Sequence, residues 1–358
     1  MEKLFLAWLH YIWFTHKKLH KIFENKQNYK EIFENINYNF LKENWFLEKQ
    51  IEIILERYKK INLSLLQKKL EKRKARIITV FDEEYPNNLK NINNSPFLFY
   101  IRWELDNSPK LAIIGSRKIS SYWNKVIEDF SPELVKYFTI VSGWAAWCDT
   151  KAHKEAIKNN WKTIVVIGTG IDLDYPVENE KFFEEIAKFS WAVISIFPIW
   201  EVGNPYNFPV RNEIVAWLSE GILVVEARQK SGSLITAKLG LDLWKDIFAV
   251  PWDIYKWWSV WTNNLIKNWE AKLVLKASDI LEEFNISTKN KEKTKEKQPN
   301  FSDELERDIY NILILENLNL DELAKKLTID ISTLSFKISM MEISWLIVKN
   351  IAGKYEIK

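Results

Sequence analysis

The stretch Leu111-Ala112-Ile113-Ile114-Gly115-Ser116-Arg117-Lys118-Ile119-Ser120 decides the fold. Its four leading apolar residues read as a parallel strand buried on both faces. A helix is expected to begin near Tyr122, so the segment is a strand, a short polar loop and a helix. In an open α/β sheet that junction, at the strand's carboxyl end, is where ligands bind. Gly115 lets the backbone approach an anion closely. Ser116 and the helix amides can donate to phosphate, Ser120 supplies a second hydroxyl, and Arg117 can fork onto the group. The alternative is a capped turn with an exposed arginine.

Short β-branched runs recur on either side. They are Ile77–Val80, Thr139–Val141, Thr163–Ile167, Ala192–Ser195, Ile222–Val225 and Ile247–Val250. Helical stretches separate them, so repeated βαβ units are expected. The fold class is therefore α/β: a Rossmann-like, doubly wound, mostly parallel sheet over residues 76–285. Residues 1–75 show apolar residues at helical spacing (Leu4, Leu9, Ile12, Leu19) and form an expected N-terminal helical domain of the SAM or helix-hairpin-helix kind. Residues 286–300 are a charged linker. Residues 301–358 read as a winged-helix-like domain, with helices over Leu320–Leu327 and Asp330–Ile338 and a wing from Trp345–Val348 and Tyr355–Ile357.

Three further loops repeat the strand–loop–helix chemistry. Ser142-Gly143-Trp144-Ala145-Ala146-Trp147-Cys148-Asp149 becomes a glycine-rich phosphate cradle if Trp144 and Trp147 are glycine, though it lacks the terminal Lys-Ser/Thr of a P-loop. Asp149 is expected to cap the next helix and His153 to lie on its surface; an acid/base pair is the alternative reading. Cys148 reads as a small buried hydrophobe. Asn207-Phe208-Pro209-Val210-Arg211-Asn212 could present Phe208 to a base and Arg211 to a phosphate, or Phe208 could simply staple the helix. Lys230, Ser231, Gly232, Ser233 and Thr236 gather at another helix start. Four such loops at one sheet edge suit an extended ligand with several phosphates.

The bulk numbers limit the partners. The chain has 358 residues, 47% hydrophobic and 28% charged, with a net charge of +3. Lys289, Lys291, Lys293, Lys295 and Lys297 against Glu292 and Glu296 account for that whole excess. A nucleic-acid site must then be a local patch rather than a global field. One cysteine, Cys148, excludes an internal disulfide and fits a reducing compartment. No signal peptide or membrane-length apolar span is read, so a cytoplasmic protein without membrane attachment is expected. No metal-ligand cluster or paired carboxylates can be pointed to, and neither metal, cofactor nor catalytic residue is expected.

Tryptophan usage is anomalous. The chain has 18 Trp and 9 Gly, where glycine is ordinarily about 7% of residues. Many Trp occupy turns, as in Asn160-Trp161-Lys162 and Val250-Pro251-Trp252-Asp253. Such junctions favour glycine, which adopts positive φ without steric cost. The expectation is that most are UGA codons, which some genetic codes read as Trp and others as Gly. The alternatives are a Trp-rich protein and a stacking surface centred on Trp257-Trp258.

At its loops the chain resembles the DprA/Smf family of DNA-processing proteins. The matching residues are Gly115-Ser116-Arg117 with Ser120, Ser142-Gly143 with Asp149-Thr150-Lys151-Ala152-His153, and Gly168-Thr169-Gly170-Ile171-Asp172 with Tyr175-Pro176. They continue through Asn207-Phe208-Pro209 with Arg211-Asn212, Lys230 to Ala237, Val250-Pro251, and Thr262-Asn263 with Leu265-Ile266. The family pattern has Gly where this chain has Trp103, Trp123, Trp147, Trp161, Trp191, Trp217, Trp244, Trp252, Trp261, Trp269 and Trp345. It usually has Arg at the place of Glu213 and an acidic residue at that of Ile196, and the lost cation is expected to weaken phosphate contact near Arg211. The resemblance implies a single-stranded DNA-binding protein that protects incoming strands in natural transformation and helps load the RecA recombinase, commonly as a homodimer. Arg117, Phe208, Arg211 and Lys230 would line its pocket with the neighbouring Ser and Gly backbones. An enzyme acting on a nucleotide-type ligand, using the Gly168-Thr169-Gly170 turn and Glu226, is the alternative. The candidate recognition helix from Ile331 to Glu342 holds one cation, Lys337, so protein contact is weighed beside duplex binding.

Overall fold

A computed structural model describes residues 2–24, 28–90, 92, 95–105, 107–116, 121–144, 148–174, 192–227, 231–254, 260–286, 301–344, 346–350 and 353–357. The chain divides into two compact units, Met1–Ser287 and Thr288–Lys358.

The first unit opens with helices α1 (Glu2–Tyr11), α2 (His16–Ile22), α3 (Tyr29–Glu34), α4 (Tyr38–Glu43), α5 (Glu48–Lys59) and α6 (Leu63–Lys72). Side-chain oxygens of Thr15, Asn28, Asn37 and Asn62 cap four of them by accepting a backbone N–H three residues on. There follow β1 (Ala75–Thr79), α7 (Asn87–Lys90), β2 (Leu98–Arg102), β3 (Lys110–Gly115), α8 (Ser121–Leu134), β4 (Thr139–Ser142), α9 (Cys148–Lys158), β5 (Thr163–Val166) and β6 (Ala192–Ser195). The unit ends with α10 (Asn207–Leu218), β7 (Gly221–Glu226), α11 (Gly232–Asp242), β8 (Asp246–Ala249), α12 (Val260–Lys267), β9 (Lys272–Leu273) and α13 (Ala277–Glu283).

The strands form one sheet in the order β1-β2-β6-β5-β4-β3-β7-β8-β9. Every pairing from β6 to β9 is parallel, as the apolar runs predict. The edge strand β1 departs from that expectation, pairing antiparallel with β2, which in turn runs antiparallel to β6. β2 is buried along its whole length and is absent from the sequence reading. Chain order runs from β3 outward to β6, then returns to place β7 on β3's other side. The topological switch point, where ligands bind in such sheets, lies between β3 and β7.

Alternation along the strands divides the core by face. Leu111, Ile113 and Ile140 meet α8, α9 and α13 through Ile127, Ala152 and Ile280. Ala112, Ile114 and Val141 face the opposite side with Ile214 of α10 and Ala237 of α11. The N-terminal helices share a core with the sheet: Leu6, Leu9 and Ile12 cluster with Leu98, Tyr100, Val165 and Val193. Arg102 of β2 is nearly buried and donates to the carboxylate of Asp174 (3.2 Å).

The second unit holds α14 (Glu304–Leu315), α15 (Leu320–Leu327), α16 (Ile331–Ile343) and the hairpin β10 (Ile347–Lys349) with β11 (Tyr355–Ile357). Asp303, Asn319 and Asp330 cap its helices. Leu313, Leu323, Leu334, Ile338 and Tyr355 make its core. The expected first wing strand is shifted to begin at Ile347, and Trp345 lies outside the described residues. No described helix is long and apolar enough to cross a membrane.

Candidate nucleic-acid interface

Four loops leave the carboxyl ends of β3, β4, β5 and β7, and α9, α10 and α11 begin at or beyond that edge. Their first-turn N–H groups carry partial positive charge, which favours an anion there. Of the predicted residues, Gly115, Ser116, Ser142, Gly143, Phe208, Arg211, Asn212, Ser231, Gly232, Ser233 and Thr236 are described; Arg117, Ser120 and Lys230 lie outside the described residues.

Gly143 and Arg211 meet most closely. A Cβ at 143 would overlap the guanidinium of Arg211. That guanidinium is buried, donating from Nη1 to the Val166 carbonyl (2.7 Å) and from Nε to Asn212 Oδ1 (2.9 Å). Asn212 donates onward to the Gly232 carbonyl (3.3 Å), which ties the start of α10 to that of α11. Phe208 covers the next loop: a Cβ at Gly168 would sit 3.1 Å from its ring. Asn207 fixes that arrangement by donating to the Gly168 carbonyl (3.1 Å). Asn204 Oδ1 in turn accepts from the N–H groups of Tyr206 (3.0 Å) and Asn207 (3.1 Å), defining the helix entry.

Around Gly115 the site is tightly packed. Gly115 lies opposite Glu226 across β3 and β7, after a register shift. A Cβ there would overlap Cys148 Sγ. Cys148 and Glu226 are both buried. Burial, then the carboxylates of Asp149 and Glu226, push the Cys148 thiol well above its usual range, so it is an inert packing group as expected. Ser142 is buried and donates to the Ile113 carbonyl (2.6 Å), linking β4 to β3 rather than facing a ligand.

Two expectations need correction. His153 is not a surface residue: it is fully buried. Its Nε2 lies 2.9 Å from the Gly143 carbonyl and its Nδ1 2.7 Å from Thr163 Oγ1. A carbonyl only accepts, so Nε2 carries the proton. Burial lowers its pKa to about 4, against the Gly143 bond that raises it and with the Arg211 charge that lowers it further. His153 is thus a neutral strut under Gly143, and Asp149 stands inside the first turn of α9 rather than before it. Thr236 is the second correction. Its hydroxyl donates to the Gly232 carbonyl one turn back (3.0 Å) and is buried, so it supports α11 instead of offering a donor to an anion. Ser231 and Ser233 share a hydroxyl hydrogen bond (2.7 Å) at the helix start.

Sequence reasoning missed Asn207 and His153 as positioning residues. Glu213 and Ile196 line a cavity of about 650 Å³ with His16, His20 and Trp217. Val210, two residues before the predicted Asn212, lines it as well, so both departures lie at the seam between α10 and the N-terminal helices. Among the described residues no group of His, Cys, Asp and Glu could hold a metal ion.

This is a Rossmann-like protein whose glycine-containing loops gather at the switch-point edge of its sheet. The family model for DNA recombination-mediator protein A matches residues 76–285, and the chain belongs to that family. It is 37% identical over 236 residues to the DNA processing protein DprA of Streptococcus pneumoniae, covering 65% of this chain and 82% of that one. It is 34% identical to the DprA of Bacillus subtilis, covering 58% of this chain and 70% of that one. The Synechocystis protein Smf is 36% identical, but the match spans 53% of its length. The crystal structure of the Streptococcus pneumoniae protein superposes with a TM-score of 0.66 at 32% identity, over 78% of this chain and 96% of that one. A Helicobacter pylori DprA structure, described for its single-stranded DNA binding mode, gives 0.53 at 25% identity, over 59% of this chain and 95% of that one.

Proposed function

We propose that the protein binds single-stranded DNA along this loop edge and is not an enzyme. Gly115, Ser116, Arg117, Ser120, Ser142, Gly143, Phe208, Arg211, Asn212, Lys230, Ser231, Gly232, Ser233 and Thr236 form or support the strand's path. Ser142 and Thr236 act from behind it, through the backbone. The observation that carries this reading is the convergence of Phe208 and Arg211, on one helix, with the glycines of two neighbouring loops. An aromatic platform beside a cation, with backbone close by, suits a base and its phosphate better than a compact metabolite. Bound strands are thereby protected during natural transformation and handed to a RecA-type recombinase, with the protein acting as a homodimer in the cytoplasm.

The test is binding of a fluorescent single-stranded oligonucleotide, with a duplex control and a salt series. Tight binding to the single strand that weakens linearly in log salt supports the reading. Equal affinity for duplex, or turnover of nucleoside monophosphates, overturns it, and turnover would favour the nucleotide-enzyme alternative. Recombinase loading is tested separately, by strand exchange with and without the protein on strands precoated by a single-strand binding protein.

A further inference from the structure

Ten described non-glycine residues have positive φ, and six of them are tryptophan: Trp13 (99°), Trp45 (58°), Trp103 (64°), Trp200 (67°), Trp244 (58°) and Trp269 (61°). The others are Lys74, Asn160, Asn285 and Thr328. Left-handed backbone is disfavoured for bulky L residues and is the usual province of glycine, then of asparagine.

Four of the six share one motif. After α1, Trp13 N–H donates to the His10 carbonyl (3.3 Å) and Phe14 N–H to that of Leu9 (3.0 Å). After α4, Trp45 pairs with Lys42 (3.1 Å) and Phe46 with Leu41 (3.1 Å). After α11, Trp244 pairs with Leu241 (3.0 Å) and Lys245 with Gly240 (2.9 Å). After α12, Trp269 pairs with Ile266 (3.1 Å) and Glu270 with Leu265 (2.9 Å). Each is a Schellman ending, with Trp at the left-handed position that glycine usually fills. The same ending after α9 and α13 carries Asn160 and Asn285, the next-best residue type. Packing does not explain two of these indoles: Trp244 is 96% exposed and Trp269 95%. Elsewhere, the buried indole N–H groups of Trp8 and Trp123 have no hydrogen-bond partner, which buried Trp ordinarily finds.

We infer that the natural polypeptide carries glycine at Trp13, Trp45, Trp103, Trp200, Trp244 and Trp269, decoded from UGA. This sorts by backbone geometry what composition could only suggest. It bears on one cleft as well. Trp13 and Trp200 both wall a cleft of about 410 Å³ with His10, Tyr11, Arg57 and Glu201; with glycine at both places the cleft widens.

Peptide sequencing by mass spectrometry of the protein isolated from its own cells tests this without reference to DNA binding. Cleavage after lysine yields residues 43–49, 239–245 and 268–272, each with a single Trp in the written sequence. Glycine at 45, 244 and 269 is expected; tryptophan there overturns the inference. A stability measurement adds a second arm. W244G and W269G should each raise the unfolding midpoint of the full chain by about 1–2 °C. W244A, which removes the indole but keeps a Cβ at positive φ, should fall short of W244G. Equal midpoints for W244A and W244G, or a lowered midpoint for W244G, would count against it.

Discussion

Gly143 and Arg211 lie 68 positions apart in sequence and fill one space: the missing Cβ of the first is where the guanidinium of the second sits. The pair joins the β4 loop to α10, and the Val166 carbonyl receives the arginine from the strand between them. Gly143→Ala should therefore push the guanidinium off that carbonyl. Losing a charged, buried hydrogen bond costs about 1.5–3 kcal/mol. Urea unfolding checks the stability loss, and single-strand binding should weaken in parallel. An alanine variant with wild-type stability and affinity would mean that the arginine has another resting place.

Phe208 has a dual position, partly buried over Gly168 and at the first turn of α10. Phe208→Ala should weaken single-strand affinity by about 1–3 kcal/mol, the usual worth of one stacked base. Phe208→Tyr, which keeps the ring, should retain most of it. Fluorescence anisotropy distinguishes the outcomes. If both variants bind as the parent does, the ring is only a staple for the helix.

Stability should fall with acid in a defined window. His16 and His153 have pKa values lowered to about 4, chiefly by burial, and burial lowers His10 as well, with His16 adding to it. Their ordinary value is about 6.5, so the unfolded chain binds more protons than the folded one. The contribution is complete above about pH 6.5 and is lost as pH falls from there through about 4. Thermal melts between pH 7.5 and 5 should show a declining midpoint, and His153→Gln should flatten part of the slope. A flat profile would mean that these rings do not titrate on unfolding.

Lys337, the one cation on α16, is held by Asp303 (2.5 Å) and Glu306 (3.1 Å). These partners draw its charge away from any phosphate, while Phe336 and Ile343 stand exposed. Deleting residues 301–358 should leave single-strand affinity within about twofold, because every proposed strand contact lies in the first unit. A duplex-binding second unit would instead reveal itself as lost duplex affinity in a gel-shift assay.

The parallel strands were legible because each is a short apolar run between helical stretches. β2 is a similar apolar run, but it pairs antiparallel with both β1 and β6, so no βαβ repeat marks it as the others are marked. The loop glycines and Phe208 were legible from spacing. The inward turn of Arg211, the burial of His153 and the back-bonding of Thr236 were not. Each depends on which carbonyl a folded neighbour brings within reach, and local spacing carries no trace of that.

The position of β3 between β4 and β7 also bears on biogenesis. β3 ends at Gly115, yet its second neighbour begins only at Gly221. At synthesis speeds of roughly 5–20 residues per second, the nascent chain carries an open, apolar β3 edge for about 5–20 seconds before the partner is made. During that interval the loop edge has no α10, so the arginine and aromatic ring it needs are missing. Binding competence should thus arise late and all at once, when β7 zips onto β3. Until then the half-made sheet keeps an unpaired apolar edge exposed to other chains.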